Sequence, residues 1–384
     1  MDARLQLSRR GFVGGVAGAM SALALPPDLA RWAEAHRSPR RLRIDGTVDP
    51  YDDFAKLAFN ENPYGPPTSV MKAMTDAFKY ANRYGYPDSG LNKQIAELHG
   101  VSPDMVLVAS GSGELLEAVG LTYLKAGQYV IGCDPSYGDV YQHATRIKAE
   151  AIKVPLRADH TQDIPAMIQM AQARAKDVGF VYLCNPNNPT GRTIPAREVQ
   201  QLLDGLPAGM PVLIDEAYHH FVDDPAYATS IPAAIAGRPV VVTRTFSKIA
   251  ALAGIRLGYA IAPKPMIEAL RLHMTGTVNV LAKYAGAAAL RDIEAQAHVR
   301  AVTLELRRKT TRELARRGFA VIPSETNFFM VHIKRPVRAV IDAFKQQGVL
   351  VGRPFEPMTD YLRVSVGAPD EMQRFLSAWD QVMT

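Results

Sequence analysis

The stretch TRTFSKIAALAGIRLGY, residues 243–259, places two cations eight positions apart in an apolar setting. Lys248 follows a serine, and Arg256 follows a run of small residues in which Gly254 would allow close approach. A buried ammonium or guanidinium group costs several kcal/mol unless an anion meets it. The run between the two cations contains no carboxylate, so we expect Lys248 and Arg256 to share an anionic partner from outside it.

A glycine and serine turn follows the strand-like run VLVA. Its residues Ser110, Gly111 and Ser112 stand directly before a helical pattern, where amides and hydroxyls face the positive end of a helix dipole. Such a turn predicts a phosphate cradle, although it is also typical of an ordinary helix cap. Tyr137 follows the next run, YVIGCDP, where an aromatic ring either packs on a helix or stacks on a flat ligand.

Asn188, Asp215 and Tyr218 follow two further apolar runs, in YLCNPNNPTG and VLIDEAYHHF. One flat, phosphorylated, electrophilic cofactor would use all of these groups. Pyridoxal phosphate requires a lysine amine for a Schiff base, a carboxylate that keeps its pyridine nitrogen protonated, donors to its phenolic oxygen and a phosphate cradle. The sequence therefore predicts pyridoxal 5'-phosphate as the cofactor, with Lys248 as the amine.

Several motifs in register resemble the class I/II, fold-type I aminotransferases, which depend on pyridoxal phosphate. NPTG at 188–191, DEAY at 215–218, SK at 247–248 and YLRVSVG at 361–367 match in order and spacing over about residues 50–380. LAFNENPYGPP, RYGYPDSG and VGRPFEP resemble the histidinol-phosphate aminotransferase branch. The resemblance implies an α/β fold, with a mostly parallel central sheet in a large domain and a smaller α+β domain.

The resemblance implies a role for each candidate, with Lys248, Asp215 and Tyr218 as the catalytic residues. Lys248 would bind the cofactor aldehyde and then move the substrate Cα proton, while Asp215 would pair with the pyridine nitrogen. A tyrosine of the neighbouring subunit reaches the phosphate in this family, which implies a homodimer with either Tyr84 or Tyr86 in that place. The other implied cofactor contacts are Tyr218 and Asn188 at the phenolic oxygen, Tyr137 on the ring, and Ser110, Gly111, Ser112, Thr245, Ser247 and Arg256 at the phosphate.

Arginines near the C-terminus point to an anionic substrate. Arg363 resembles the arginine that clamps the substrate α-carboxylate in a bidentate fork, although a surface cation on an edge strand would read the same way. Arg353, preceded by Gly352, stands where the histidinol-phosphate branch reads a second anionic group. Tyr64 and Asn188 would line the substrate site, or Tyr64 would only structure a proline-rich turn.

The first residues resemble a twin-arginine export signal. Arg9 and Arg10 precede a short Gly/Ala-rich apolar run, and residues 22–24, Ala-Leu-Ala, form a small-x-small cleavage site. We expect residues 1–24 to be a signal peptide that directs the folded protein through the twin-arginine machinery to the periplasm. The run is too short for stable membrane insertion. The alternative is a merely basic N-terminus, which would leave the protein in the cytoplasm.

Two features favour a substrate other than histidinol phosphate. The histidinol-phosphate branch usually has two acidic residues after the glycine turn, whereas this chain has Gly113 and then Glu114. Histidine synthesis also belongs in the cytoplasm, which disagrees with an export signal. His219 and His220 follow Asp215 closely and would either shape the pocket or serve as structural residues.

Alternating patterns place these residues on a sheet. Strand-like runs and helical periodicity alternate between residues 68 and 273, which predicts crossover units and a mostly parallel sheet whose carboxyl edge collects ligands. A long helical stretch and two strand-like runs, NFFMVHI and YLRVSVG, follow residue 274. We expect a linker or arm over 25–50, a large domain over 68–273, and a small domain of 51–67 with 274–384.

Composition restricts the remaining classes. The 384 residues carry a formal charge of +6, with 44 basic and 38 acidic side chains interspersed, so nucleic-acid binding is not expected. Cys133 and Cys184 each end an apolar run without metal-ligand spacing, which favours buried thiols over a disulfide and predicts no metal.

The favoured function is ping-pong transfer of an amino group from an amino acid or an amino-phosphate-like donor to a 2-oxo acid. A decarboxylase or lyase could use the same cofactor motifs, because the orientation of the Cα substituents selects the bond that breaks. A degenerate, amino-acid-binding periplasmic protein is the alternative from another class. The complete set of chemical residues argues against it.

Overall fold

The computed structural model describes residues 23–37, 49–84 and 88–383, which divide into two compact units. The sheet unit comprises residues 65–297 and 322–326. The second unit comprises the described residues up to 64 together with 298–321 and 327–383.

Strands and helices alternate along most of the described chain. The strands are β1 (Ala55–Leu57), β2 (Val106–Ala109), β3 (Tyr129–Asp134), β4 (Glu150–Pro155), β5 (Val178–Cys184), β6 (Val212–Asp215), β7 (Val240–Thr245), β8 (Gly258–Ile261), β9 (Phe328–His332), β10 (Val349–Val351) and β11 (Tyr361–Ser365). The helices are α1 (Pro27–Ala35), α2 (Thr68–Ala77), α3 (Leu91–His99), α4 (Ser112–Tyr123), α5 (Asp139–Arg146), α6 (Ile164–Ala173), α7 (Ala196–Gly205), α8 (Ile231–Ile235), α9 (Lys264–Arg271), α10 (Val280–Arg291), α11 (Ile293–Arg316), α12 (Val337–Gln346) and α13 (Pro369–Val382).

A seven-stranded sheet in the order β2-β8-β7-β6-β5-β3-β4 forms the centre of the sheet unit. In this sheet β8 runs antiparallel to both of its neighbours, and the other pairs are parallel. β6 and β7 are buried along their whole length, as strands covered on both faces must be. The predicted mostly parallel central sheet is confirmed.

Helices that follow the strands cover the sheet. Leu115 of α4, Val140 of α5 and Ile267 of α9 join Phe180 and Leu213 in one buried apolar cluster. Burial of these side chains removes apolar surface from water and fixes α4 and α5 against the strands that precede them. The loops between strand ends and helix starts therefore have defined positions.

The second unit contains two small sheets. β1 pairs in parallel with β10, and β9 pairs antiparallel with β11, so the runs NFFMVHI and YLRVSVG are the strands expected. Phe344 of α12 packs on Phe375 and Trp379 of α13, and all three side chains are fully buried.

The structure divides the helical stretch after residue 274 differently from the sequence prediction. α10 belongs to the sheet unit because it packs against α2 and α3. Asp292 ends α10, and its Oδ1 accepts a hydrogen bond of 3.1 Å from the amide of Ala295 at the start of α11. This cap separates the expected continuous stretch into two helices.

Part of the expected linker or arm is helical. α1 carries Trp32, whose ring stacks 5.3 Å from His298 and meets the Tyr64 ring at 5.0 Å, all within the second unit. Residues 1–22 of the expected signal and residues 38–48 lie outside the described residues.

Two composition-based expectations can be compared with the described chain. Cys133 and Cys184 are free, buried thiols, as predicted. Within the ranges that the structure describes, no helix is both long and apolar enough to cross a membrane.

Candidate active site

A pocket of about 190 Å³ opens at the carboxyl ends of the central strands. Parallel strands bring these ends to one edge of the sheet, so residues far apart in sequence meet there. The whole lining belongs to the sheet unit. The lining residues are Ser112, Gly113, Tyr137, Asp139, Cys184, Asn188, Asp215, Ala217, Tyr218, Thr245, Ser247, Lys248, Ala253 and Arg256.

Asp215, the last residue of β6, is a buried carboxylate in this pocket. Its Oδ1 accepts hydrogen bonds from Thr243 Oγ1 at 3.1 Å and from the Ala217 amide at 3.2 Å. Burial raises the pKa of Asp215 from 3.8 to about 6, against the opposing effect of these two donors. Among the described residues Asp215 has no ion-pair partner, so its charge is poised to meet a cation.

Lys248, Tyr218 and Asn188 lie together in the pocket. The Lys248 ammonium is 5.7 Å from the centre of the Tyr218 ring, and Asn188 Nδ2 approaches Tyr218 Oη at 3.4 Å. Ser247 donates its amide to Thr245 Oγ1 at 3.0 Å, which shapes the turn that leads from β7 to Lys248. The setting is less enclosed than the sequence suggested, because Lys248 is half-buried and Arg256 is exposed.

Gly111 and Arg256 form a cradle beside the start of α4. Gly111 has φ of +86°, and a Cβ on it would lie 2.1 Å from Arg256 Nη2. Arg256 itself has φ of +60°, a left-handed conformation that is costly for a residue other than glycine and clusters at ligand sites. Glycine is therefore required at 111 for both its backbone conformation and its space.

The sequence left open whether the turn at residues 110–112 is a phosphate cradle or an ordinary helix cap, and the structure has features of both. Glu114 Oε2 accepts the Ser110 amide at 2.7 Å, so one amide of the turn is already used within the protein. Gly111 is the N-cap residue of α4 and has no side chain to cap the helix. Ser112, the first residue of α4, lines the pocket. Ser110 and Gly111 do not line it.

Glycine matters at a different place in the segment 243–259 than the sequence suggested. A Cβ on Gly254 would meet no atom of the described residues within 4 Å, so no close contact within the protein requires glycine there. A Cβ on Gly258 would instead lie 2.5 Å from the Ser112 amide nitrogen and 3.0 Å from the Arg244 carbonyl oxygen. Gly258 thus allows β8 to pass directly beneath the turn that begins α4.

The pocket also contains residues that the sequence analysis missed. Asp139 accepts a hydrogen bond of 2.6 Å from Tyr137 Oη and so restrains that ring. Its position two residues after Tyr137, at the first turn of α5, was the available signal. The other residues missed are Gly113, Cys184, Ala217 and Ala253, which were not recognisable because they contribute mainly shape.

His219 and His220 are not among the residues that line the pocket. His219 Nδ1 lies 3.2 Å from Tyr227 Oη, and burial lowers the pKa of His219 to about 3. Burial likewise lowers the pKa of His220 well below its usual value. Both histidines are therefore neutral, partly buried residues, in agreement with the structural alternative.

The remaining candidates are not among the residues that line the pocket. Arg363, Arg353 and Tyr64 belong to the second unit, and Tyr84 is a fully exposed residue of the sheet unit. Tyr86 lies outside the described residues.

Arg363 is not the surface cation that the sequence left open. It is 7% exposed, its Nη2 donates to the Ala58 carbonyl at 2.7 Å, and its guanidinium lies 4.6 Å from the Phe355 ring. The exposed Arg353 guanidinium lies 4.3 Å from the same ring. Gly352 permits this packing, because a Cβ there would be 2.8 Å from the Arg363 carbonyl oxygen.

The model of the family described as aminotransferase class I and II matches residues 52–378. The chain belongs to this family. It is 35% identical to the histidinol-phosphate aminotransferase of Symbiobacterium thermophilum over 333 residues, which cover 85% of this chain and 90% of the relative. A second relative with that name, from Moorella thermoacetica, is 34% identical over 86% of each chain.

A solved structure shows the same fold. Histidinol-phosphate aminotransferase from Sinorhizobium meliloti, determined in complex with pyridoxal-5'-phosphate, superposes with a TM-score of 0.80 at 24% identity, covering 100% of this chain and 99% of that one. The prediction of a fold-type I, pyridoxal-phosphate-dependent aminotransferase is confirmed.

The pocket of this aminotransferase fits the cofactor. Asp215 provides a buried carboxylate without an ion-pair partner among the described residues, as a protonated pyridine nitrogen requires. Gly111 lets the Arg256 guanidinium lie directly against the turn before α4, which would bring a cation to a phosphate group bound there. For the part of the chain that is described, no cluster of potential metal ligands is present.

Gly258→Ala should weaken cofactor binding. The new Cβ would collide with backbone atoms of the Ser112 turn, so the turn must move away from Arg256, and we expect the dissociation constant for pyridoxal phosphate to rise at least about tenfold. The measurement is titration of the cofactor-free protein followed by absorbance. Gly254→Ala is the matched control in the same segment and should bind the cofactor as the parent protein does. Equal cofactor affinity of the parent, Gly258→Ala and Gly254→Ala proteins would contradict the role of this turn in holding the phosphate.

Asp215→Asn should stabilise the cofactor-free protein at high pH. The folded protein keeps the Asp215 proton up to about pH 6, whereas the unfolded chain releases it near the ordinary aspartate pKa of 3.8. The stability from this proton is therefore full below 3.8 and is lost as pH rises through 6. The raised pKa of Asp215 predicts an advantage for Asp215→Asn of up to about 3 kcal/mol at pH 8, and almost none at pH 4.

Thermal midpoints of the two cofactor-free proteins at pH 4 and pH 8 test this. Pyridoxal phosphate should remove the advantage at pH 8, because a pyridinium cation would pair with the carboxylate of the parent protein only. A variant that melts below the parent protein at pH 8 without cofactor would show that the carboxylate is not destabilised by burial.

Proposed function

We propose that the pocket residues hold pyridoxal phosphate and carry out transamination in the roles assigned from the sequence. Asp215 would pair with the pyridine nitrogen, Tyr218 and Asn188 would bind the phenolic oxygen, and Tyr137, restrained by Asp139, would lie against the ring. The phosphate would be held by Ser112, Thr245, Ser247 and Arg256, whose close approach to the turn Gly111 permits. The single observation that carries this proposal is that all these side chains surround one pocket with Lys248.

When bound, the cofactor supplies an electrophilic aldehyde and a ring that withdraws electrons from the substrate Cα. Lys248 would hold the aldehyde end and, after substrate replaces it there, move the proton at Cα. Its amine must be neutral for both tasks, which a neighbouring cationic ring and partial burial favour. Asp215 would keep the pyridine nitrogen protonated, and the aromatic Tyr218 beside Lys248 would help to limit water.

The proposed donor is a small amino compound with an anionic group. Arg363 is supported as its binding residue because it is buried, anchored on the Ala58 carbonyl and backed by Phe355. Arg353 lies on the same ring and would favour a second anionic group. An α-amino acid and histidinol phosphate, the compound in the names of the curated relatives, both meet this description, with a 2-oxo acid as acceptor.

A donor screen tests the proposed function. Each L-amino acid and histidinol phosphate is mixed with the holoenzyme, and the bound cofactor should change from its aldehyde to its amine absorbance with one donor group. Lys248→Ala should slow this change by about 10²–10⁴-fold or more, because the proton at Cα loses its carrier. Lys264→Ala, at an exposed lysine paired with Asp104, is the control and should react normally.

Arg363→Lys separates donor binding from chemistry in the same screen. Lysine keeps the charge but lacks the bidentate fork, so the donor concentration for half-maximal rate should rise about 10-fold or more. Release of carbon dioxide or ammonia without the amine form would favour a decarboxylase or lyase instead. Tight donor binding with no turnover in the parent enzyme would favour a binding protein.

A homodimer is part of the proposal. The side chain of Tyr84 is 101% exposed, so it does not pack against the described residues and would be available to a partner subunit. Tyr86 remains the alternative for the same contact. Substrates of the aminotransferase family are amino acids, and assembly into dimers is typical of it, which supports this proposal.

Export to the periplasm is also proposed, on the basis of Arg9, Arg10 and the apolar run that follows. Cell fractionation should place the parent protein in the periplasm and a variant with both arginines changed to lysine in the cytoplasm. Lysine keeps the positive charge, so the pair separates a twin-arginine signal from a merely basic N-terminus. Equal cytoplasmic recovery of both proteins would reject export.

A further inference from the structure

A buried ion pair outside the pocket lining lies at the ends of β6 and β7. Arg244 donates to Glu216 Oε2 through Nε at 3.1 Å and through Nη2 at 2.7 Å. Its Nη2 also donates to Thr229 Oγ1 at 2.9 Å, and Glu216 Oε1 accepts the Ser230 amide at 2.6 Å. The side chains of Arg244 and Glu216 are 5% and 1% exposed, so both charges of this ion pair are buried.

Strand geometry places this pair on the face opposite the pocket. Side chains alternate along a strand, so Asp215 and its successor Glu216 point to opposite sides, as do Thr243 and Arg244. Thr243 donates to Asp215 on the pocket side, while Arg244 holds Glu216 on the other. The Glu216 amide also donates to the Thr243 carbonyl at 2.9 Å, which extends the β6–β7 pairing by one residue.

The pair therefore joins the two strand ends that carry the chemistry. Asp215 lies immediately before Glu216, and Lys248 follows Arg244 by one tight turn that Thr245 and Ser247 shape. A buried ion pair is weak support for stability in itself, because desolvation of both charges offsets their attraction. The two guanidinium N–H groups that donate to one carboxylate oxygen do, however, restrict how the two strand ends can shift relative to each other.

We propose that Glu216 and Arg244 are positioning residues of the cofactor site, which hold Asp215 and the Thr245–Lys248 turn in register from the opposite face of the sheet. This inference rests on the proposed roles of Asp215 and Lys248. It assigns to Arg244 a function that the sequence analysis passed over, because the guanidinium finds its anion inside the protein and not on a ligand.

Paired substitutions separate positioning from stability. Replacement of one partner leaves a buried charge alone, whereas removal of both charges is often neutral for folding. We expect Glu216→Gln/Arg244→Met to melt close to the parent protein but to bind pyridoxal phosphate at least about tenfold more weakly. The visible circular dichroism of the bound cofactor should also fall, because that signal reports how the site orients the ring.

Arg157 and Glu198 provide the matched control. They form a 2.9 Å ion pair within the sheet unit and do not line the pocket, so Arg157→Met/Glu198→Gln should leave cofactor affinity and the dichroic band unchanged. Parent-like affinity and dichroism in the Glu216→Gln/Arg244→Met protein would overturn the inference. If that protein does not fold, Arg244→Lys decides, since it keeps the charge but loses the fork and should show the same tenfold loss.

One measurement distinguishes this failure from failure of the proposed function. Borohydride reduction of the parent holoenzyme should fix the cofactor on Lys248, as detected by peptide mass. Absence of that label would refute the proposed role of Lys248, and the positioning inference would fall with it. Presence of the label together with unchanged paired variants would refute the positioning inference alone.

Discussion

Burial of a carboxylate at the end of β6 is the constraint on which the rest of the site depends. Asp215 is 2% exposed and has two neutral donors but no cation of its own among the described residues. Such a charge is unfavourable in the isolated protein, which is why its pKa is raised. The cost becomes useful once a cationic ring nitrogen binds, because the same burial strengthens their attraction.

The two faces at this edge of the sheet deal with charge in opposite ways. On the pocket face, Asp215, Lys248 and Arg256 line the cavity that we assign to the cofactor. On the other face, Arg244 and Glu216 neutralise each other and are surrounded by hydrogen-bond partners. Adjacent residues of the same two strands thus supply both arrangements, since side chains alternate across a sheet. The ion pair on one face can therefore hold in place the strand ends that carry the pocket residues on the other.

The residues that we propose for substrate binding differ from those that we propose for the cofactor chemistry. The pocket that we assign to the cofactor is built wholly from the sheet unit, whereas Arg363, Arg353 and Phe355 belong to the second unit. Arg363 is held by a backbone carbonyl and two aromatic rings, which leaves its orientation well defined. Relatives with a common cofactor chemistry can therefore differ in substrate through changes confined to these positions.

The sequence by itself determined the cofactor, the family and the succession of strands along the chain. These follow from local signals: apolar runs, glycine and proline turns, and reactive residue types at strand ends, each readable without knowledge of the fold. It also identified nearly every polar side chain of the pocket. Asp139 was missed although its spacing from Tyr137 was visible, and Ala217 and Ala253 were missed because shape leaves no mark on residue type.

Only the tertiary structure decided which glycine matters and which cation is neutralised internally. Gly254 and Gly258 look equivalent in sequence, but only Gly258 passes beneath the backbone of another segment. Lys248, Arg256 and Arg244 are three cations of one stretch, and Arg244 meets the Glu216 carboxylate, which directly follows the neighbouring strand. Both outcomes depend on through-space contacts between β8, β7, β6 and the turn before α4, and the sequence does not specify such distances.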